Sequence, residues 1–222
     1  MYFSRKVLAY YEYLDSPVGL PDGVEVMNPY SNPEVQHVLE AFYTNYYQDN
    51  KKRKLILGIN PGRLGAGITG IPFTDPIRLE KDCDISNDFV KKGELSSKFV
   101  YKLIAQMGGP AHFYRHFYIG SVSPLGFLKD GKNYNYYDSL DLKRNLKPYI
   151  INSLISQISF GVETTTCFCM GQGKNFDYLN MLNHEFRLFK KIVPLPHPRW
   201  VMQYKRKELD FWINETIQLL IK

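Results

Sequence analysis

Asn60, Ser121 and His197 each stand at or just beyond the end of a short apolar run: Leu55-Ile56-Leu57, Phe117-Tyr118-Ile119, and Phe189 to Leu195. An amide, a hydroxyl and an imidazole together offer donors and acceptors able to hold a small polar ligand. The first has the most distinctive surroundings. Gly58 halts the run, Pro61-Gly62 turns the chain, and five glycines fall from Gly58 to Gly70. Glycines let backbone N–H groups come close to a ligand. Such runs read as buried strands, and an open α/β sheet binds its ligands on loops outside the carboxyl ends of strands. In a parallel sheet the three strand ends share one edge, so residues far apart in sequence become one candidate site. Any one of them alone has an ordinary explanation as a turn or loop residue; their joint placement does not.

Other chemical signals are weaker. His112 and His116 have the spacing of a helical zinc clasp, but no HExxH pattern or third ligand accompanies them. Asp82, Asp84 and Asp88 lack the glycine and closing glutamate of a calcium loop. Gly171-Gln172-Gly173-Lys174 fails the GxxxxGK[ST] spacing of a phosphate loop and reads as a strand-to-helix turn. No GxSxG elbow is present, which argues against an α/β-hydrolase. The three cysteines cannot form a disulfide framework or ligate an iron–sulfur cluster, and read as buried thiols in a reducing compartment.

The elements that must position the site follow from pattern. Helices are expected over 4–14, over 33–47 behind the Asn32-Pro33 start signal, from Ser96 to Met107, from Ser139 to Phe160 with an adjustment at Pro148, and from about Gln203 onward. Strands fall at 55–57, 117–119, 164–170 and 189–195, with 133–138 a tyrosine-rich extended piece or loop. Helices between strands imply parallel βα units with right-handed crossovers. The expectation is a single domain over residues 1–222, an α/β/α three-layer fold around a four-stranded, mainly parallel sheet. Its 17 tyrosines are read mainly as core and surface residues. Net charge is +6, compatible with phosphate-bearing partners, and Lys51-Lys52-Arg53-Lys54 reads as a solvated edge that could also touch phosphates. No signal peptide or bilayer-length apolar run is seen, so a cytoplasmic protein without a membrane partner is expected.

At this point the motifs match a known family. Gly58-Ile59-Asn60-Pro61-Gly62, Thr69-Gly70-Ile71-Pro72-Phe73, Ser123-Pro124-Leu125 and His197-Pro198-Arg199 resemble the uracil-DNA glycosylase superfamily. The likeness is greatest to the single-strand-selective monofunctional branch or a bacterial group similar to it, and it spans roughly residues 54–205. Asn60 and Phe73 thirteen apart, with glycines and TG-x-PF between them, carry most of its specificity.

The resemblance implies that Asn60 positions the attacking water and His197 donates to O2 of the base. It implies that Phe73 stacks on an extruded base, with backbone N–H groups around Ile59 and Phe73 completing the pocket. Gly62 stands where related families place a bulky residue against C5 of uracil, implying room there. The wedge entering the duplex falls at Pro198, Arg199 and Trp200, although this chain reads His-Pro-Arg where the family reads His-Pro-x-Pro-Arg. Ser121 replaces the base-reading asparagine, which makes xanthine and hypoxanthine plausible alongside uracil and 5-hydroxymethyluracil. The implied activity is monofunctional, cofactor-free hydrolysis of the N-glycosidic bond in base excision repair, by a monomer acting on DNA that holds deaminated bases. No lysine stands at a motif position to form a Schiff base. The alternatives are a catalytically weak binding module for DNA lesions or single strands, and a small-molecule enzyme such as a nucleoside hydrolase.

Overall fold

In the computed structural model, which describes all 222 residues, the four apolar runs form one parallel sheet. The first half of the chain runs α1 (Phe3–Glu12), β1 (Val24–Met27), α2 (Pro33–Tyr47), β2 (Arg53–Gly58), α3 (Ala66–Thr69), α4 (Pro76–Cys83), α5 (Leu95–Gln106) and α6 (Pro110–His116). It continues β3 (Phe117–Ser121), β4 (Gly126–Lys129), β5 (Lys132–Tyr134), α7 (Leu140–Asn145), α8 (Lys147–Ser159) and β6 (Val162–Met170). Last come α9 (Lys174–Phe186), β7 (Lys191–Leu195), α10 (Pro198–Tyr204) and α11 (Leu209–Ile221).

The main sheet has the order β3-β2-β6-β7 with every pair parallel. Its central strands are apolar in their carboxyl-terminal halves, where helices cover both faces; Leu55, Ile56, Leu57, Cys167 and Cys169 are fully buried, whereas Thr164 and Thr165 near the start of β6 are exposed. The register sets Gly58 opposite Ser121 and Met170 opposite Leu195, so the three strand-end loops leave from one edge. No helix is long and apolar enough to cross a membrane.

Beside this α/β/α core lies a small antiparallel sheet, β1-β4-β5, which the sequence does not announce. Its strands are three or four residues long, too short for alternation to register. The helix expected over 139–160 is two helices. Ser139 caps α7 by accepting from Leu142 N–H, and the chain breaks at Leu146 before Pro148 in the first turn of α8. Within α8, Ile150, Ile151 and Leu154 face inward while Ile155 is exposed. The acidic stretch after Asp75 contains α4, capped by Asp75, which accepts from Arg78 N–H at 2.8 Å. The helix expected from Ser96 begins one residue earlier, and the second oxygen of Asp75 receives the Glu94 N–H at 2.8 Å and the Ser97 hydroxyl.

The basic run before β2 is not a uniformly solvated edge. Lys51 and Lys52 are exposed, but Arg53 is fully buried. Its guanidinium lies 4.9 Å from the Phe3 ring centroid and 4.7 Å from that of Tyr47. It donates to Asp49 at 2.9 and 3.2 Å and to the carbonyls of Tyr46, Lys51 and Tyr114. A buried cation is tolerable only when so completely partnered. Burial pushes the Asp49 carboxyl up, but the Arg53 hydrogen bonds, the Lys51 N–H and their charges outweigh it and hold it below its ordinary value. Removing one partner of such a pair strands the other. Asp49→Ala is therefore expected to lower unfolding stability by about 2 kcal/mol, below the fully buried case because Asp49 is partly exposed. Urea denaturation at pH 7 and at pH 3 checks this. The deficit should shrink at the lower pH, because a carboxylate with a depressed pKa loses its contribution as pH falls through that value.

Candidate active site

The strand-end loops enclose a cavity of about 390 Å³. Asn60, Phe73, Ser121 and His197 all line it, together with Ile59 and Gly62. The structure thus brings together the residues singled out at three distant points of the sequence.

Asn60 leaves the end of β2 half-buried, its amide held at both ends. Its Oδ1 accepts from Tyr136 N–H at 3.3 Å and its Nδ2 donates to the Pro61 carbonyl at 3.2 Å. A backbone N–H can only donate, so Tyr136 determines which end of the amide is oxygen. Tyr136 is itself anchored, its phenol donating to Asn175 Oδ1 at 2.7 Å at the start of α9. One lone pair of Oδ1 and one N–H of Nδ2 remain for a ligand or a water.

Phe73 sits at φ +54°, in the left-handed region that costs a side-chain-bearing residue about 1 kcal/mol. Thr69 holds the turn, its hydroxyl donating to the Thr74 carbonyl at 2.6 Å and accepting from Ile71 N–H at 3.2 Å. Gly58 lets the ring in: a Cβ there would lie 2.9 Å from Phe73 Cε2. The aromatic ring is therefore seated directly on the end of β2.

Ser121 ends β3, buried except where it meets the cavity. Its hydroxyl makes no hydrogen bond within the protein, while its carbonyl accepts from Gln157 at 3.0 Å. Gln157 continues through Ser153 to Tyr10, a buried chain that fixes this strand end from behind.

His197 caps α10. Its Nδ1 accepts from Arg199 N–H at 3.2 Å, which leaves the proton of the neutral ring on Nε2. Burial, aided by the nearby Arg199 charge, pushes its pKa down to about 4. The ring is a neutral donor at physiological pH, the state in which an imidazole can polarise an oxygen without first losing a proton. The rate should therefore show no loss from protonation of this histidine between pH 8 and pH 5. A kcat/KM profile checks this; a limb near pH 6.5 that vanishes in His197→Gln would contradict it.

At the mouth, Arg199, Trp200 and Tyr204 are exposed, the latter two at 40% and 73%. Pro198 and Met202 are not available there: both are buried against the body of the protein, Pro198 in the first turn of α10. Opposite stand Asn133, Asn135 and Tyr137, from the small sheet and the loop after it. Sequence reading missed this wall because 133–138 carries no periodicity. It also missed Glu94, a cavity-lining carboxylate with nothing in its local sequence to distinguish it. His112 and His116 lie on α6 with ring centroids 4.9 Å apart, and no group of three or more His, Cys, Asp or Glu residues converges to hold a metal.

A model of the uracil DNA glycosylase superfamily matches residues 44–221. The chain belongs to the uracil-DNA glycosylase superfamily, and the class so defined is that of a DNA glycosylase. Among solved structures, wild-type SMUG2 of Pedobacter heparinus is similar at 44% identity, with a TM-score of 0.96 over 99% of this chain and 97% of that one. A comparison with curated proteins finds no match.

Proposed function

We propose that this chain, acting as a monomeric single domain, excises uracil from DNA by monofunctional hydrolysis of the N-glycosidic bond, with the base extruded into the cavity. The observation that carries the reading is the convergence on one cavity of an oriented amide, a seated aromatic ring, a free hydroxyl and a neutral imidazole donor.

A base within a duplex cannot be attacked in place, and extrusion costs a few kcal/mol of unstacking. Phe73 offers a stacking face to offset part of that loss, and Arg199, Trp200 and Tyr204 stand where the vacated space in the duplex would be filled. As the C1′–N1 bond breaks, its electron pair leaves with the base. His197 Nε2–H supports the charge that develops on O2, where a preorganised donor is worth about 3 kcal/mol. Asn60 Oδ1 orients the water whose oxygen bonds to C1′. Its proton passes to solvent or to the departing base, since an amide is too weak a base to take it. Ser121 offers one hydroxyl to the O4 and N3–H edge, where an amide would offer a fork. Arg63, Lys132 and Lys174 near the rim suit phosphate contacts, which set affinity and salt dependence without reading sequence.

The test is a panel of single- and double-stranded oligonucleotides holding uracil, xanthine or hypoxanthine, with Ser121→Asn assayed alongside. Uracil release is expected, and Ser121→Asn should raise the ratio of uracil to purine release. Retained affinity for such DNA with no base released would instead favour a binding module.

A further inference from the structure

Glu94 has no part in the reaction just described, yet its carboxylate stands in the wall of the same cavity. It occupies the space that two glycines leave empty. A Cβ on Gly65 would collide with Glu94 Oε2, and one on Gly62 would come within 3.3 Å of Oε1. The room implied by Gly62 is therefore filled by a carboxylate reaching across from the start of α5. Neither oxygen receives a hydrogen bond from the protein, although the backbone of the same residue is tied to Asp75, Ser97 and Lys98. A half-buried, uncommitted acceptor in a binding cavity is poised to meet a donor on a ligand.

Which part of a base it would meet follows from the proposed function, on which this inference rests. With O2 at His197 and the N3–O4 edge at Ser121, the C5 edge is left for the wall of Gly62, Glu94 and Asn133. The geometry points to Glu94 as the residue that selects bases by their C5 substituent, excluding a methyl group and accepting a group that carries a hydrogen-bond donor. A methyl pressed against a carboxylate would strip its water and give nothing in return. A hydroxymethyl or hydroxyl group would donate to it, and a charge-assisted bond of that kind is the stronger sort. Glycines at 62 and 65 leave no side chain of their own to exclude thymine, so the filter falls to a residue distant in sequence.

The selection should depend on pH. Burial, and behind it the Asp75 carboxylate, raise the Glu94 pKa to about 7, with the Arg199 guanidinium pulling the other way. The other charged or titratable groups facing this corner are Arg63 on the loop after β2, Lys132 on β5, Lys98 on its own helix and His197 across the cavity. Preference for a donor at C5 should therefore be greatest above pH 7, where Glu94 is ionised, and decline as it is protonated.

Single-turnover release of uracil, thymine and 5-hydroxymethyluracil from otherwise identical oligonucleotides, at pH 6 and pH 8.5, tests this. At pH 8.5 Glu94→Gln, which keeps the volume, should lower the ratio of 5-hydroxymethyluracil to uracil release about tenfold and remove its pH dependence. Glu94→Ala should raise the ratio of thymine to uracil release at least about tenfold by opening the wall. Wild-type protein that releases uracil, with both ratios unchanged in both variants, would overturn the inference and leave the glycosylase reading intact. Wild-type protein that releases none of the three bases would overturn both. The Gln variant guards against a folding defect in the Ala variant, since an inactive misfolded fraction lowers both release rates alike and leaves their ratio unchanged.

Discussion

His197→Ala is expected to lower the rate of uracil release by about 10²- to 10³-fold, mostly in kcat. The imidazole is held by its own capping bond to Arg199 N–H and kept neutral by burial, so its Nε2–H is aimed before any substrate arrives. A donor placed in advance where charge will develop acts chiefly in the transition state, when the base becomes anionic, and little in the ground state. Its loss should leave KM and DNA affinity nearly unchanged. His197→Gln retains a side-chain donor but cannot reproduce the ring's position, and should recover only a small part of the rate. The measurement is single-turnover release at saturating enzyme, paired with a binding titration. A fall in affinity matching the fall in rate would show that the histidine merely holds the substrate.

Asn60→Ala should cost about 10²-fold through loss of the oriented water. The amide reaches that orientation through a chain that starts 115 residues away in sequence, from Asn175 to the Tyr136 phenol and from the Tyr136 N–H to Oδ1. Asn60→Asp should fall between wild type and Ala. The carboxylate keeps the Tyr136 N–H as a donor and gains basicity, but it loses the Nδ2 bond to the Pro61 carbonyl and places two oxygens against each other. Its rate should also rise with pH through the carboxylate range, where the wild type is flat. Tyr136→Phe removes only the anchoring hydroxyl. A loss of several-fold there would confirm that the chain of bonds, and not the amide alone, sets the geometry.

Much of this architecture is legible in the sequence. Strands buried on both faces carry continuous apolar runs, and such runs report themselves at 55–57, 117–119 and 167–170. Parallel connection then forces Asn60, Ser121 and His197 to one edge, and the cavity stands there. What stayed hidden depends on partners distant in sequence. Nothing in Lys51-Lys52-Arg53-Lys54 says that the third cation is buried, because its burial is decided by Asp49, Phe3 and Tyr47 after packing. The strands of the small sheet are held by cross-strand pairing and by the loop they cover, not by local propensity. Glu94 was invisible for the same reason: Gly62 reads as empty space until the residue that fills it is brought over from α5. Pro198 looked like part of an exposed wedge, yet a proline at the first turn of a helix is well placed to turn inward, and this one does.

The proposed function makes these strand-end residues one hydrolytic site for a flipped base. It is tested most directly by mass-spectrometric detection of free uracil from a uracil-containing oligonucleotide, with the strand examined before and after alkali. Free uracil is expected, with an unbroken strand that alkali then cleaves at the abasic position, and release should be lost in the His197→Ala, Asn60→Ala double variant. Full release by that double variant, or strand cleavage without alkali, would contradict it.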